Sequence, residues 1–389
     1  MFTARYPDWV LEPVARSAEL LFRPRNLHCW LGEWIRQSAR NSPIVPGERP
    51  LHLFLSVCDH YEPEWGRPAP HIAEERVMDW VRRYPEQHAD LTDSRGRPPQ
   101  HSFFFPADEY RPEYLDGVAE LCEQGFGDAE IHLHHDQDTA DNLRQTLSEF
   151  ADTLHRQHGL LRLDPRTGRP TYGFIHGNWS LCHSRPDGRW CGVPEEIDIL
   201  RETGCYADFT LPSAPSDTQT RTINSIYYAT NRPGQCKSHD VGTPAAVLEP
   251  AFDRSLLMIQ GPLLPNWNRR KFGLIPRIEN GDLTAANPPT LERLRLWMQA
   301  SVIVQGRPDW LFIKLHTHGC QPANQEMWLG GVARQFHLAL AQWSRQIPDL
   351  NYYYVTAWEM AQLVHQAEAG RLQPDWSLQT SRQGVAIGV

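Results

Sequence analysis

The chain has 389 residues and a formal net charge of −9, with 38 Lys and Arg residues against 47 Asp and Glu residues. This acidic balance gives no general electrostatic reason to expect nucleic acid as a partner. Apolar residues make up 40% of the chain, which is ordinary for a globular protein with a sizeable core. No stretch reaches the roughly 18 apolar residues that a membrane-spanning helix needs.

The beginning of the chain is predicted to form an N-terminal helical extension over residues 1–49. Trp9, Leu20, Trp30 and Trp34 recur with rough helical spacing, and arginines stand between them. This pattern favours two short helices packed on the main domain. The alternative is peripheral contact with a membrane surface, which the interspersed acidic residues disfavour.

Eight cysteines are spread along the chain, and none forms a Cys-x-x-Cys pair, so a structural zinc ribbon is not predicted. The first residues lead into a mixed polar segment without a long apolar core, so we expect no secretory signal. These two observations predict a cytoplasmic protein with reduced thiols.

Strand-like and helix-like segments alternate from residue 51 onward. The predicted elements are, in order, strand 51–58, helix 71–86, strand 101–106, helix 112–124, a strand around 130–134, helix 139–158, strand 172–176, helix 194–203 and strand 206–211. Repeating βα units of this kind predict parallel strands with helices on the outside.

Residues 212–288 interrupt this alternation. Their many Pro, Asn, Gly, Ser and Thr residues predict a long insertion with hairpins, including strand-like pieces at 223–229 and 256–260. The alternation then resumes in four predicted elements: helix 290–304, strand 310–315, helix 326–346 and strand 351–356.

The predicted fold class is therefore α/β, with a single (β/α) barrel over residues 50–367 that contains the insertion. Residues 368–389 are polar with a small apolar end and are predicted to form a loose C-terminal tail.

The run from His132 to Asp138 carries three imidazoles and two carboxylates. Alternate side chains of a strand share a face, so His132 and His134 would point the same way, and His135 would stand in the following loop. Imidazole and carboxylate are the usual ligands of zinc and similar divalent ions. The run therefore predicts a metal site. The alternative is a polar loop whose histidines are satisfied by hydrogen bonds.

Three other predicted strands also end in polar, titratable residues. These endings are Asp59-His60-Tyr61-Glu62, His176-Gly177-Asn178-Trp179 and His316-Thr317-His318. The carboxyl-terminal strand ends of an α/β barrel carry its active site. Four such endings therefore predict one shared functional site.

The order of these landmarks from Leu51 to Ala367 resembles the polysaccharide deacetylases of carbohydrate esterase family 4. The chain is similar to a divergent member of the glycoside hydrolase/deacetylase barrel superfamily. The matching segments are Ser56–His60 for the first motif strand, His101–Pro106 for the second, Glu130–His134 for the histidine motif, Phe312–His316 for the late strand and Tyr354–Met360 for the last strand and helix. The resemblance implies a distorted (β/α)7-type barrel.

The resemblance also implies roles for individual residues. It implies a divalent metal ion, zinc first with cobalt, manganese or nickel as alternatives, held by His60, His134 and Asp138. It implies Asp59 as the catalytic base and His316 as the acid that protonates the leaving amine.

Further residues remain open within this resemblance. Cys58-Asp59-His60 stands where the family has an Asp-Asp pair, so whether Asp59 is the base or a ligand stays open. Other candidates for the metal or for orienting its ligands are His132, His135 and His318. The candidates for binding sugar are His176, Asn178 and Trp179.

The function implied is metal-dependent hydrolysis of a carbon–nitrogen bond, removing an N-acetyl group from a polysaccharide or sugar conjugate. One alternative is a glycoside hydrolase, which needs two carboxylates about 5–9.5 Å apart, such as Asp59 with Asp240 or Glu62. The other is a catalytically inactive barrel that binds glycan.

Overall fold

The computed structural model of the chain describes residues 25–40, 44, 46–249 and 254–377. The helices are α1 Leu27–Arg40, α2 Pro70–His88, α3 Pro112–Glu123, α4 Ala140–His158, α5 Glu196–Glu202, α6 Leu291–Ala300, α7 Pro322–Leu329, α8 Val332–Ser344 and α9 Ala357–Glu368. The strands are β1 Leu51–His60, β2 His101–Pro106, β3 Gly127–Leu133, β4 Arg162–Leu163, β5 Pro170–His176, β6 Cys205–Asp208, β7 Ile226–Thr230, β8 Thr243–Pro244, β9 Ser255–Ile259, β10 Leu264–Lys271, β11 Ile275–Glu279, β12 Asp282–Leu283, β13 Trp310–Thr317 and β14 Leu350–Tyr354.

Most strands join one sheet in the order β12-β13-β1-β2-β3-β5-β6-β9-β7-β8. Neighbours from β12 to β9 are parallel, whereas β7 runs antiparallel to both β9 and β8. The prediction of an α/β fold with a mainly parallel sheet is confirmed. Among the described strands β8 and β12 end the sheet without pairing to each other, so barrel closure is not shown.

Side chains that alternate along β1 divide the core into two layers. Leu53 and Leu55 pack with Trp80 of α2 in the layer that lies between the sheet and its helices. Phe54 and Cys58 pack in the inner layer, which α9 also covers. Consecutive residues at the end of β1 therefore face different layers, and this decides which of them can reach a common site.

The helix predicted over 326–346 is two helices. Gly330 and Gly331 separate α7 from α8, and Gly331 has φ +93°, in the left-handed region that favours glycine.

Helix α9 begins where the sequence predicts a helix after the last strand. Its start is a capping box in which Thr356 and Glu359 bond reciprocally to each other's backbone N–H.

Part of the predicted insertion belongs to the main sheet. Strand β9 pairs in parallel with β6, and β7 pairs with β9. Only β10 and β11 form the separate hairpin that the composition predicts, among the described residues. The insertion therefore adds strands to the main sheet and also forms a separate hairpin.

The two ends of the described chain are both packed. Trp30 of α1 is buried against Ala214, Ile223 and Leu263, so the helix in the described part of the predicted extension packs on the main domain. The ring of Trp376 packs 4.8 Å from that of Tyr353 at an interplanar angle of 48°, so the tail predicted to be loose is anchored at least that far. The predicted helical segment before residue 25 and the tail beyond 377 lie outside the described residues.

The cysteines and the helices agree with two further expectations. All eight cysteines are free thiols. Within the described part of the chain, no helix combines the length and the apolar character that crossing a membrane demands.

His239 predicts a measurable effect of pH on stability. It is fully buried in the turn after Lys237, neither ring nitrogen has a hydrogen-bond partner among the described residues, and burial lowers its pKa to about 3. The unfolded chain binds a proton near pH 6.5, so stability is complete above that pH and falls as pH drops toward 3. We expect His239→Leu to make this loss shallower by up to about 1.4 kcal/mol per pH unit.

Urea unfolding at a series of pH values between 6.5 and 4 measures this slope. The control is His71→Leu, because His71 is exposed at the start of α2 and its replacement should leave the slope unchanged. Equal slopes for wild type and His239→Leu would contradict the assignment of a neutral buried imidazole.

Candidate metal centre

The carboxyl ends of β1, β3 and β13 bring five metal-ligating side chains together. These residues, which we call the strand-end cluster, are His60, Glu62, His132, His134 and His318. They form two overlapping groups that share Glu62: His60 and His318 on one side, and His132 and His134 on the other. Three of the four predicted strand ends therefore meet here, whereas His176, at the end of β5, belongs to another group.

Three atoms of this cluster form a nearly equilateral triangle. Nε2 of His132 lies 3.3 Å from Nε2 of His134, and Oε1 of Glu62 lies 3.3 Å and 3.2 Å from these two nitrogens. Ligands bound tetrahedrally to zinc at about 2.0–2.1 Å lie about 3.3–3.4 Å apart. The triangle thus has the dimensions of one face of a zinc coordination shell.

The far side of each imidazole ring has its own partner. Nδ1 of His132 donates to the carbonyl oxygen of Ile175 at 2.9 Å, and Nδ1 of His134 lies 3.3 Å from a carboxylate oxygen of Asp108. A partner on Nδ1 fixes the ring orientation and leaves the Nε2 lone pair for a metal. Both rings are therefore held in the orientation that ligation requires.

His60 and His318 stand beside this triangle. Their ring centroids are 4.6 Å apart, and the ring of His60 is 4.9 Å from that of His132. Nε2 of His60 and Oε2 of Glu62 are buried and have no hydrogen-bond partner among the described residues. Such atoms cost about 1–3 kcal/mol each when left unsatisfied, and a bound ion or its water would satisfy them.

The pKa values describe the charge of the cluster without metal. Burial alone would raise the pKa of Glu62, but hydrogen bonds from His132 and His134 hold it well below its usual range. Burial would lower the pKa of His134, but Asp108 and Glu62 outweigh it and raise that pKa to about 10. Burial and the neighbouring His318 lower the pKa of His60 well below its usual value. A metal ion must therefore displace the proton of His134.

Asp59 requires a correction, because it faces the helix layer rather than the cluster. Its Oδ2 accepts from Nε2 of His101 at 2.7 Å, and its Oδ1 accepts from the backbone N–H of Gly319 at 2.6 Å. His60, the next residue of β1, points the other way, since adjacent strand residues face opposite sides. Asp59 therefore fixes the chain just after His318, and the geometry does not place it as a catalytic base.

Asp138 also has a different position from the one expected. Its Oδ2 accepts from Nδ1 of His135 at 2.8 Å, and its Oδ1 accepts from the backbone N–H of Thr139 and the side chain of Asn142, both at 2.7 Å. It is thus the orienting partner of His135 at the start of α4. His135 itself groups with His176 and Glu196, outside the strand-end cluster.

His316 lies next to the cluster without joining either ligand group. Its ring centroid is 6.2 Å from that of His60, and its Nε2 is 3.9 Å from a carboxylate oxygen of Asp282. Burial, followed by the charge of Lys314, lowers the pKa of His316 well below its usual value. A neutral imidazole beside a carboxylate, adjacent to a metal site, is placed to accept and return a proton.

Two tryptophans flank the cluster. The ring of Trp179 is 6.0 Å from His60 and 6.1 Å from His318, and the ring of Trp65, which is 42% exposed, is 5.4 Å from His318. Trp179, which was predicted to bind sugar, thus lies beside the strand-end cluster. Asn178 is exposed beside it, and Trp65 was not predicted.

The sequence patterns also missed several acidic residues of this region. They are Glu62 as a ligand, Asp108 behind His134, Asp282 beside His316 and Glu196 beside His135. Glu62 and Asp108 each follow a strand by two positions, so the rule that located the strand-end histidines could have found them. Glu196 and Asp282 lie in α5 and β12, and no local signal marks them.

Comparisons with known proteins identify no relative. No protein-family model matches the chain, and no curated protein matches it. The chemistry of the cluster is therefore inferred from its geometry.

A cavity of about 700 Å³ lies elsewhere, between α1 and the strands β7 and β8, and the cluster residues do not line it.

Gly177 allows a direct test of how the His134 ring is positioned. A Cβ at this position would collide with Cδ2 of His134 and lie 2.7 Å from the carbonyl oxygen of Leu133. We expect Gly177→Ala to displace the ring and weaken zinc binding by about 10–100-fold, as the loss of an orienting partner does. Titration with Zn²⁺ against a chromophoric chelator measures the affinity.

The matched control is Gly32→Ala in α1, where a Cβ meets nothing within 4 Å. Its zinc affinity should equal that of wild type. An unchanged affinity in Gly177→Ala would show that His134 does not hold the ion.

Proposed function

We propose that the chain is a metal-dependent hydrolase that removes an N-acetyl group from a sugar or polysaccharide. The observation that carries this proposal is the triangle of His132, His134 and Glu62, in which two imidazole nitrogens and one carboxylate oxygen lie 3.2–3.3 Å apart. Two His ligands and one Glu form a ligand set found in zinc hydrolases. The proposal places the reaction on a distorted (β/α) barrel, for which the parallel order of β1, β2, β3, β5 and β6 gives support.

The metal in this proposal is a divalent ion, zinc first. When bound, it would lower the pKa of a water molecule to about 7 and polarise the amide carbonyl. Glu62, His132 and His134 would hold it, and His60 and His318 carry further nitrogen atoms near the same carboxylate. This ligand set replaces the predicted set of His60, His134 and Asp138.

His316 is the residue we propose for proton transfer. Since burial keeps it neutral, it can accept a proton from the attacking water and deliver it to the leaving nitrogen. Asp282, 3.9 Å away, stabilises the imidazolium that forms between these two steps. The products are acetate and the free amine of the sugar.

The sugar itself is proposed to stack on the flanking aromatic rings. Trp65 and Trp179 lie on two sides of His318, and large aromatic faces bind the apolar faces of sugars. The eight free thiols support a cytoplasmic location, since such thiols persist in a reducing compartment.

A glycoside hydrolase is less well supported, because the carboxylates that it would use as catalytic groups are already hydrogen-bonded within the protein. Asp59 accepts from His101 and Gly319, and Asp240 accepts from the backbone and side chain of Arg221. Glu62 lies among imidazoles. Catalysis by paired carboxylates would need two that face an open cleft.

Replacing His316 separates proton transfer from metal binding. We expect His316→Ala to lower kcat by about 10²–10⁴-fold, the usual contribution of a general acid or base. Bound zinc should stay at the wild-type level, because His316 belongs to neither ligand group. Acetate release from N-acetylated oligosaccharides measures kcat, and elemental analysis measures zinc. His71→Ala, an exposed substitution on α2, is the control and should change neither value.

Replacing His132 tests the metal dependence itself. We expect His132→Ala to lose zinc from the strand-end cluster and to abolish acetate release, with the same loss in wild type after chelation. Zinc added back should restore wild type but not the variant. Equal release by wild type and His132→Ala would overturn the mechanism. No release from any acylated glycan, with zinc still bound, would favour a glycan-binding protein.

A further inference from the structure

A second group of ligating side chains lies on the other face of the sheet. It consists of His135, in the loop after β3, His176, at the end of β5, and Glu196, in the first turn of α5. All three side chains are at most 7% exposed. We call this group the buried triad.

The near atoms of the buried triad converge as those of the strand-end cluster do. Nε2 of His135 lies 2.9 Å from Nε2 of His176 and 3.3 Å from Oε1 of Glu196. The remaining distance, from Nε2 of His176 to Oε1 of Glu196, is 3.6 Å. These distances bracket the separation of about 3.3–3.4 Å between tetrahedral zinc ligands.

The far atoms of the triad are all engaged by other groups. Nδ1 of His135 donates to Asp138 at 2.8 Å, and Nδ1 of His176 lies against the carbonyl oxygen of Gly177. Oε2 of Glu196 accepts from the backbone N–H of Cys182 at 2.6 Å, while Oε1 is buried and has no hydrogen bond among the described residues. Each residue is therefore oriented by its outer partner and directs one ligand atom inward, where Nε2 of His135 and Nε2 of His176 share a hydrogen bond when no metal is bound.

The register of β3 and β5 separates the two groups. His132 pairs with Ile175, which packs in the inner layer, whereas Leu133 pairs with His176 and packs in the helix layer. The buried triad thus lies between the sheet and α5. Little solvent reaches it, so an ion held there would have no open route to a substrate, and with three protein ligands a buried water would complete its shell.

We propose that the buried triad binds a second divalent metal ion of the zinc class, with a structural role. The ion joins three segments that no regular element connects: the loop after β3, the turns after β5 and the start of α5. The turns hold four non-glycine residues in the left-handed region, Asn178, Trp179, Cys182 and His183. Trp179 belongs to these turns, so the second ion also keeps that ring beside the strand-end cluster.

The competing explanation is a hydrogen-bonded network without metal. A proton on Nε2 of His135 could be shared between His176 and Glu196, and no ion would then be needed. The two explanations differ in metal content, because only a metal site loses one equivalent when a single ligand is removed.

The experiment measures zinc per chain in four full-length proteins: wild type, His132→Asn, His176→Asn and the double variant. Each is stripped with chelator, reloaded with Zn²⁺ and dialysed against metal-free buffer before elemental analysis. We expect His176→Asn to hold one equivalent less than wild type, and the double variant to hold one less than His132→Asn. Glu196→Gln, which keeps an oxygen for the Cys182 amide, serves as the second variant if His176→Asn does not fold.

Thermal unfolding gives a second readout in the His132→Asn background. We expect chelation to lower the unfolding midpoint of His132→Asn but to leave that of the double variant unchanged. Equal zinc content in His132→Asn and the double variant, with equal response to chelator, would overturn the second site and favour the proton-shared network. Since these measurements need no substrate, they stand even if no acetate release is found.

Discussion

Three atoms that carry lone pairs face one another at the end of the sheet, and such an arrangement needs positive charge at its centre. Nε2 of His132, Nε2 of His134 and Oε1 of Glu62 lie 3.2–3.3 Å apart in a largely buried place. Without metal, a proton on His134 supplies that charge, because Asp108 and Glu62 raise the pKa of His134 to about 10. A divalent ion supplies more charge at the same place and can engage all three atoms at once. Metal and proton therefore compete, and acid should weaken metal binding.

The parallel sheet makes this convergence achievable. The parallel strands from β12 to β9 end at one edge, so short extensions of β1, β3 and β13 deliver ligands from residues far apart in the chain. Alternation along each strand then sorts these ligands between two faces. His60 and His132 reach the inner face, while Asp59 and His176 reach the helix layer. One strand-end edge can in this way carry two chemically similar groups that do not share a ligand.

Local patterns in the sequence predicted most strands and helices, and they singled out the histidine-bearing strand ends, three of which meet in the strand-end cluster. The prediction of the metal ligands was only partly right, and the reason is physical. His132 and His134 were placed together by strand alternation, and the same rule could have separated Asp59 from His60. The resemblance instead assigned Asp59 and Asp138 by analogy. Glu196 and Asp282 reach their positions through tertiary packing of α5 and β12, which no local pattern encodes. Gly330 and Gly331 did mark a break that the helical periodicity of 326–346 concealed.

The acidic residues divide by side-chain length into two roles. Asp108 and Asp138 each sit behind a histidine, and Asp59 holds the backbone N–H that follows His318. The two carboxylates directed at the converging nitrogens belong instead to Glu62 and Glu196. Neither glutamate lies at the last residue of a strand: one follows β1 by two positions and the other comes from a helix. The longer side chain spans the distance from these positions to the rings. Asp108 and Asp138 lie against Nδ1 of a histidine, and Asp59 bonds to Nε2 of His101 and to the N–H of Gly319, so the shorter aspartates fix the orientation on which any ligation depends.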